Sequence, residues 1–366
     1  MPLFMDYHKG LSLTVDDVKK AHIADEAIQS KYGVIYHQFW VNEHDGAVFC
    51  LMEGPDKESC AAVHREAHGA IACSIVEVAE GFCKVLMGSD HFIEQGHVRH
   101  RDGTPDLGIR SILVLHIHGV TTVRTSSDYK SLKRPTGARE LALSVVSNFR
   151  GRQANTLHDD SIVAVFDSQV SALKCGLELQ EQLLQHMTGR DNDEWNIVFK
   201  MGLSAGQPLK EHGDIFSETI SLAKRLCSVA NLNELVISAG IQNFCNLSDV
   251  IRDVNSVRVL SRRDEDFIFS LFSISEEKIA DERFNVDTLS RNIGMSRPQL
   301  YRKVISLTGK SPNDFLRDLR MDKALDLLRK KAGNISEIAL EVGYSNPSYF
   351  ARCFQMRYGC TPSRFN

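Results

Sequence analysis

The feature that most constrains this chain is a pattern that occurs twice near its C-terminus: a short apolar helix, a glycine stop and a second helix. In 334–365, Ile335, Ile338, Ala339 and Val342 fall at helical spacing. Gly343 follows them and tolerates the positive φ of a sharp turn. Ser345 or Asn346 suits the next N-cap, and Pro347 suits a first helical turn that needs no amide donor. Tyr349, Phe350, Phe354 and Tyr358 mark the second helix, closed by Gly359 and Pro362. Upstream, Val286, Leu289 and Ile293 run into Gly294. Ser296 then opens a helix with Leu300, Val304 and Leu307 that Gly309 closes. A long helix over 312–331 joins the two, with Phe315, Leu316, Leu319, Ala324, Leu327 and Leu328 inward. One such unit is an ordinary helical hairpin; two around a shared helix predict an all-α double helix-turn-helix domain over 275–366.

Charge agrees with that partition. Residues 283–366 hold 15 Lys and Arg against 7 Asp and Glu, a net of +8, while the remainder nets −12. A basic surface is what phosphate binding requires. Arg329, Lys330 and Lys331 close the linking helix, where they also complement its dipole. The string I-x-E-I-A-x-x-V-G-Y-x-x-x-S-Y-F-x-R-x-F-x-x-x-Y-G-x-T-P-S-x-F, with the duplicated unit, resembles the DNA-binding domain of AraC/XylS transcription regulators over 276–366. The resemblance implies double-stranded DNA as partner and two recognition helices in successive major grooves. Their exposed faces carry Arg297, Gln299, Tyr301 and Arg302, then Asn346, Ser348 and Arg352. Arginine pairs with guanine and glutamine or asparagine with adenine. Tyr301 also suits a phosphate contact or packing on the neighbouring helix.

The chain has 366 residues, enough for two or three domains, with 43% hydrophobic and 25% charged residues. No run of eighteen apolar residues marks a membrane span, and the first residues lack the pattern of a secretion signal. Nine cysteines without a C-x-x-C read as reduced thiols, so a cytoplasmic location is expected. Of fourteen histidines, six lie in the first 68 residues and none follows His212.

Residues 1–81 predict a β-α-β-β-α-β order, the ferredoxin-like α+β arrangement. Strands are expected over 2–8, 34–41, 47–53 and 74–78, with helices over 14–31 and 55–68. Asp6 and His8 share a strand face; His22 and Asp25 lie three apart on the first helix; His64 and His68 lie one turn apart on the second. Imidazole with carboxylate suits a borderline divalent ion such as nickel, zinc or copper. H-R-E-A-H is not the H-E-x-x-H of zinc proteases. A single histidine here reads as surface or hydrogen-bonded core; three pairs in register favour a metal site at Asp6, His22, His64 and His68. Tyr36, Gln38 and Cys50 alternate on strands and rank behind them. The string D-Y-H…A-H-I-A-D…K-Y-G-V-I-Y…F-W…F-C-L-M-E-G-P-D…V-H-R-E-A-H-G resembles a family of small ferredoxin-like proteins with nickel-binding members.

Residues 82–110, rich in glycine and charge, are expected as a linker. Residues 111–274 predict a second α+β domain. Its strands S-I-L-V-L-H-I-H-G and K-M-G-L-S-A-G, its hairpin H-D-D-S-I-V-A-V-F and its helix over 216–230 resemble class III nucleotidyl cyclases. By that resemblance the first metal-binding aspartate falls on His116 and the second on Asp160, or on Asp159. The transition-state asparagine falls on Ser221, and the arginine is kept as Arg225. An imidazole with one carboxylate is a poor magnesium site, and the transition-state group is missing. A degenerate cyclase fold, serving as a dimerising connector or a nucleotide sensor, is therefore expected, with no enzyme activity.

The chain thus reads as a cytoplasmic, homodimeric regulator of AraC type with a metal sensor at its N-terminus. A DNA-bound enzyme or sensor acting on a nucleotide is the alternative. A ferredoxin-like monooxygenase unit, which needs a haem or organic pocket, is a third.

Overall fold

The computed structural model describes residues 1–10, 12–69, 71–121, 136–154, 161–188, 195–209, 214–242 and 257–365. The first unit has strands β1 (Leu3–His8), β2 (Ile35–Asn42), β3 (Ala47–Glu53) and β4 (Ser74–Val78), with helices α1 (Val15–Ile28) and α2 (Lys57–Ala67). Thr14 and Asp17 form a reciprocal capping box that starts α1, and the Asp56 carboxylate caps α2. Strand order β4-β1-β3-β2 is the ferredoxin-like order expected.

Residues 82–110 depart from the linker expected of them. Helix α3 (Glu80–Met87) leads into a hairpin of β5 (His91–Glu94) and β6 (His97–His100), and β6 joins the sheet beside β2. Glycine and charge mark the turns of this hairpin and not a free connector, because Val98, Leu86 and Met87 are buried in the core.

The second unit comprises β7 (Arg110–Thr121), α4 (Thr136–Asn148), β8 (Arg152–Ala154), β9 (Ile162–Phe166), α5 (Gln169–Thr188), β10 (Trp195–Gly206), α6 (Ser217–Val229), β11 (Glu234–Ile237), α7 (Ala239–Gln242) and β12 (Val257–Val259). Its sheet runs β12-β11-β10-β7-β9-β8. Alternation along β7 decides the layers. Leu113 and Leu115 pack with α4 and α5, whereas Ile112 and Val114 join one apolar core with Met5, Tyr7, Trp40 and Phe49 of the first sheet and Ala223 and Cys227 of α6. The open face of the ferredoxin-like sheet is therefore covered within this chain. Helix α6 crosses β10 so closely that a Cβ at Gly202 would stand 2.2 Å from the Ala223 carbonyl oxygen.

Helix α8 (Arg262–Lys278) enters the C-terminal unit: α9 (Val286–Ile293), α10 (Arg297–Thr308), α11 (Pro312–Arg329), α12 (Ile335–Glu341), α13 (Pro347–Tyr358) and α14 (Pro362–Phe365). The turn glycines behave as the spacing requires: Gly294 has φ 74° and Gly343 φ 79°. Leu226 and Val229 of α6, Phe267 and Leu271 of α8, and Leu289, Leu300 and Val304 of the first helix-turn-helix share one core. The second helix-turn-helix builds its own around Phe350 and Phe354.

Candidate metal centre and nucleic-acid interface

Pleat and helix period together make the polar cluster of the first unit. On β1, Phe4, Asp6 and His8 point toward the helices while Met5 and Tyr7 point to the second sheet. His64 lies over them from α2, with Asp25 arriving from α1. The His64 Nε2 atom is 2.5 Å from Asp6 Oδ2, and its Nδ1 atom is 3.3 Å from Asp25 Oδ2. His68 Nε2 stands 3.2 Å from His64 Nδ1 and 3.4 Å from Asp25 Oδ2. His8 Nε2 is 3.4 Å from Asp6 Oδ2, and the Tyr36 hydroxyl 3.3 Å from His64 Nε2. Asp6, His8, Asp25 and His64 are buried; His68 is partly open to solvent.

The electrostatics follow from this packing. Burial works against ionising Asp6, but the charges of His8 and His64 outweigh it and hold the carboxyl well below its usual range. Burial likewise opposes a charged His64, yet Asp6 and Asp25 push it up to about 10. Asp25 is held low, against burial, by hydrogen bonds from His64 and His68. Cys50 beside Asp6 is kept a thiol by burial, so the available donors are nitrogen and oxygen.

Of the residues expected to bind metal, the structure gathers Asp6, His64 and His68. Two overlapping groups have the spacing to hold an ion: Asp6, His8 and His64, and Asp25, His64 and His68. Asp25 and His8 thus enter the site, and their spacing to His22 and Asp6 in the sequence was the available signal. His22 lies in neither group. It is buried between Tyr36 and Phe39, neither ring nitrogen has a hydrogen-bond partner, and burial lowers its pKa. Buried imidazoles and carboxylates at these distances fit a borderline divalent ion.

In the C-terminal unit, Arg297, Gln299, Tyr301, Arg302, Asn346, Ser348 and Arg352 are all exposed. Their side chains are not equally free. Gln299 Oε1 accepts from the Ser296 amide and hydroxyl, Asn346 Oδ1 accepts from the Ser348 and Tyr349 amides, and Arg297 pairs with Asp287 at 3.2 Å. Arg302 and Arg352 sit at the same offset from the starts of α10 and α13, and Arg352 only stacks over Tyr349. The two units abut: a Cβ at Gly343 would meet the Ile279 carbonyl oxygen at 2.4 Å, and Arg320 donates to the Ile279, Asp281 and Phe284 carbonyls.

The cyclase-like positions divide differently. His116 lies on β7, opposite Lys200, and is half-buried, as is Ser221 on α6. Asp159 and Asp160 lie outside the described residues. Arg225 is turned toward α8: it donates to Ser273 Oγ at 3.2 Å, pairs with Glu276 at 3.1 Å and stacks 4.7 Å from the Phe269 ring centroid.

Known proteins match the chain piecewise. Residues 4–78 match the family described as nickel responsive protein SCO4226-like, and residues 289–366 match a helix-turn-helix domain family. The chain is 37% identical over 106 residues to histidine kinase P4 of Formosa agariphila, which is 29% of this chain and 8% of that protein. Further curated relatives are HTH-type transcriptional regulators. Among solved structures, SCO4226 from Streptomyces coelicolor A3(2) is similar at 39% identity, covering 21% of this chain and 94% of that one with a TM-score of 0.20. An adenylate/guanylate cyclase/hydrolase from Silicibacter pomeroyi is similar at 23% identity, covering 39% and 82%, with a TM-score of 0.33. The chain spans less than half the length of the curated relatives it matches. No helix among the described residues is long and apolar enough to cross a membrane.

Proposed function

We propose that this chain, with an AraC-type helix-turn-helix domain at its C-terminus and an SCO4226-like unit at its N-terminus, is a sequence-specific, DNA-binding transcription regulator that responds to a divalent metal ion. The observation that carries the reading is the pairing of two recognition helices, each with an exposed arginine that makes no ion pair among the described residues, and a buried imidazole–carboxylate cluster at the opposite end of one chain. Nickel is the ion suggested by the family match at residues 4–78; zinc and copper suit the same donors. The residues that would hold it are drawn from Asp6, Asp25, His64 and His68. The ion would contribute only coordination, drawing α1 and α2 together.

The second unit is read as a connector. Arg225 is committed to α8, and Arg258 donates to the Leu307 carbonyl of α10 and the Val229 carbonyl of α6, both at 2.8 Å. These contacts support transmission from the second sheet to the first recognition helix. Homodimerisation is retained as part of the proposal, through surfaces other than the covered sheet face. Regulation requires that the ion bind two arrangements with different affinity.

The test is titration of nickel, zinc and copper into the full chain and into the double variant His64→Ala, His68→Ala. Affinity for DNA selected by the protein from a random-sequence pool is then measured with and without ion. Wild type is expected to bind the ion and change its DNA affinity, and the variant to do neither. Metal binding without a DNA response makes the site structural, and an unaltered double variant places the ion elsewhere.

A further inference from the structure

The structure assigns opposite roles to the two carboxylates that flank His64, an inference that rests on the metal reading above: Asp25, His64 through Nδ1, and His68 bind the ion, and Asp6 is a positioning residue. Donors that bond one ion at about 2.0–2.2 Å stand roughly 3 Å or slightly more from one another. His64 Nδ1, His68 Nε2 and Asp25 Oδ2 meet that spacing on every side, at 3.2, 3.4 and 3.3 Å. His64 lies in the last turn of α2, His68 is its C-cap residue and the carboxylate comes from α1, so one ion joins both helices.

The other ring nitrogen is in a different situation. Asp6 Oδ2 lies 2.5 Å from Nε2, closer than two ligands of one ion stand and at hydrogen-bond distance. Asp6 is itself fixed, because its Oδ1 accepts the Cys50 amide at 2.9 Å inside the sheet. A carboxylate that accepts the second N–H of a ligating imidazole sets the tautomer, orients the ring and raises its basicity. His8 lies against the same Asp6 oxygen and not in the triangle. The ion enters past His68, the one member of the triangle with an appreciably exposed side chain, at 21%. A proton on Nδ1 leaves to solvent as the ion arrives, and the proton on Nε2 stays in the bond to Asp6.

The experiment is calorimetric titration of zinc and cobalt(II) into the full chain, with ring-nitrogen NMR of the histidines in the zinc-loaded protein. Wild type should bind one ion, with Nδ1 of His64 on the metal and Nε2 protonated. Asp25→Asn and His68→Ala should each weaken binding more than 100-fold. Asp6→Asn should keep the stoichiometry and lose about 10–100-fold in affinity. Loss of the ion in Asp6→Asn with retention in Asp25→Asn overturns the assignment, as does a metal-bound Nε2. Should Asp6→Asn fail to fold, the nitrogen spectrum of the unaltered protein decides the roles. One ion with reversed roles leaves the metal reading standing; no ion in wild type ends both.

Discussion

Two buried polar assemblies lie on either side of the first sheet, and they differ in how completely their groups are satisfied. On the side of the second unit, Arg110 is fully buried and each of its five N–H groups has an acceptor. Nη1 donates to Asp106 Oδ1 and the Ile109 carbonyl, Nη2 to Asp106 Oδ2 and the Met87 carbonyl, and Nε to the Leu86 carbonyl. Trp40 Nε1 and the Gly108 amide complete Asp106, and Arg152 reinforces the end of α3 through the Val85 and Leu86 carbonyls. Nothing there is left to exchange. On the helix side, imidazoles and carboxylates face one another through exchangeable protons, and His22 makes no hydrogen bond and stands 3.5 Å from Glu26. A saturated cluster holds a fold together, whereas one held by labile protons is suited to take a ligand.

The comparison breaks most readily at Arg110. Arg110→Met leaves Asp106 buried without its cation and should cost about 3–5 kcal/mol, read by urea unfolding. Acid should act at the same place. Burial opposes the ionised Asp106, but the Arg110 charge and hydrogen bond outweigh it and hold its carboxyl below the ordinary 3.8. Its contribution is therefore fully present above about pH 4 and is lost as pH falls through the lower folded value. A variant as stable as wild type, with the same acid limb, would remove the structural half of the contrast.

The same criterion sorts the recognition helices. Arg302 and Arg352 are exposed and make no ion pair among the described residues, so Arg302→Ala or Arg352→Ala should each cost about 1–3 kcal/mol in DNA affinity and relax base preference. Gln299 and Asn346 are spent on helix starts, so their alanine variants should cost about 0.5–2 kcal/mol of stability. Competition binding and thermal unfolding of all four variants check the sorting. Affinity loss confined to the Gln299 and Asn346 variants would reverse it.

A smaller effect sharpens the contrast at His22. A buried group without a hydrogen-bond partner carries a penalty of about 1–3 kcal/mol. His22→Leu should therefore stabilise the metal-free protein by about 1 kcal/mol and leave ion binding unchanged. Loss of the ion in that variant would instead return His22 to the ligand set that sequence spacing first implies.

These cases also mark what was legible in the sequence. Gly294 and Gly343 fixed the two turns because positive φ is a local requirement, and the period of apolar residues gave α9 to α13 nearly to their ends. Histidines and a carboxylate at helical and strand spacing named three of the clustered residues, Asp6, His64 and His68. The choice of Asp25 over His22 was not legible, since both lie on α1 and only the approach of α2 tells which faces His64. Residues 82–110 were misread because β6 is a strand by virtue of its pairing beside β2, not by its own composition. Arg225 falls where the cyclase resemblance expects an arginine, yet it is turned toward α8, and a pattern alone does not record what a side chain touches.

That last residue carries the smallest expected effect. The terminal nitrogens of Arg225 are committed to Phe269, Ser273 and Glu276, and its guanidinium stacks on Phe269 and Phe272. An arginine serving a triphosphate would have to give up these contacts and free α8 from α6. ATP or GTP with magnesium should therefore leave the melting temperature of the full chain unchanged, although a ligand at a hundred times its Kd would add about 2.7 kcal/mol. Arg225→Met should lower stability and DNA affinity together, with nucleotide present or absent, because α8 also forms part of the first helix-turn-helix core. A nucleotide-dependent rise in melting temperature that disappears in Asp160→Ala would show that the second unit binds a ligand as well as bracing the first recognition helix. The division between a saturated brace and an exchangeable site would then run through that unit too.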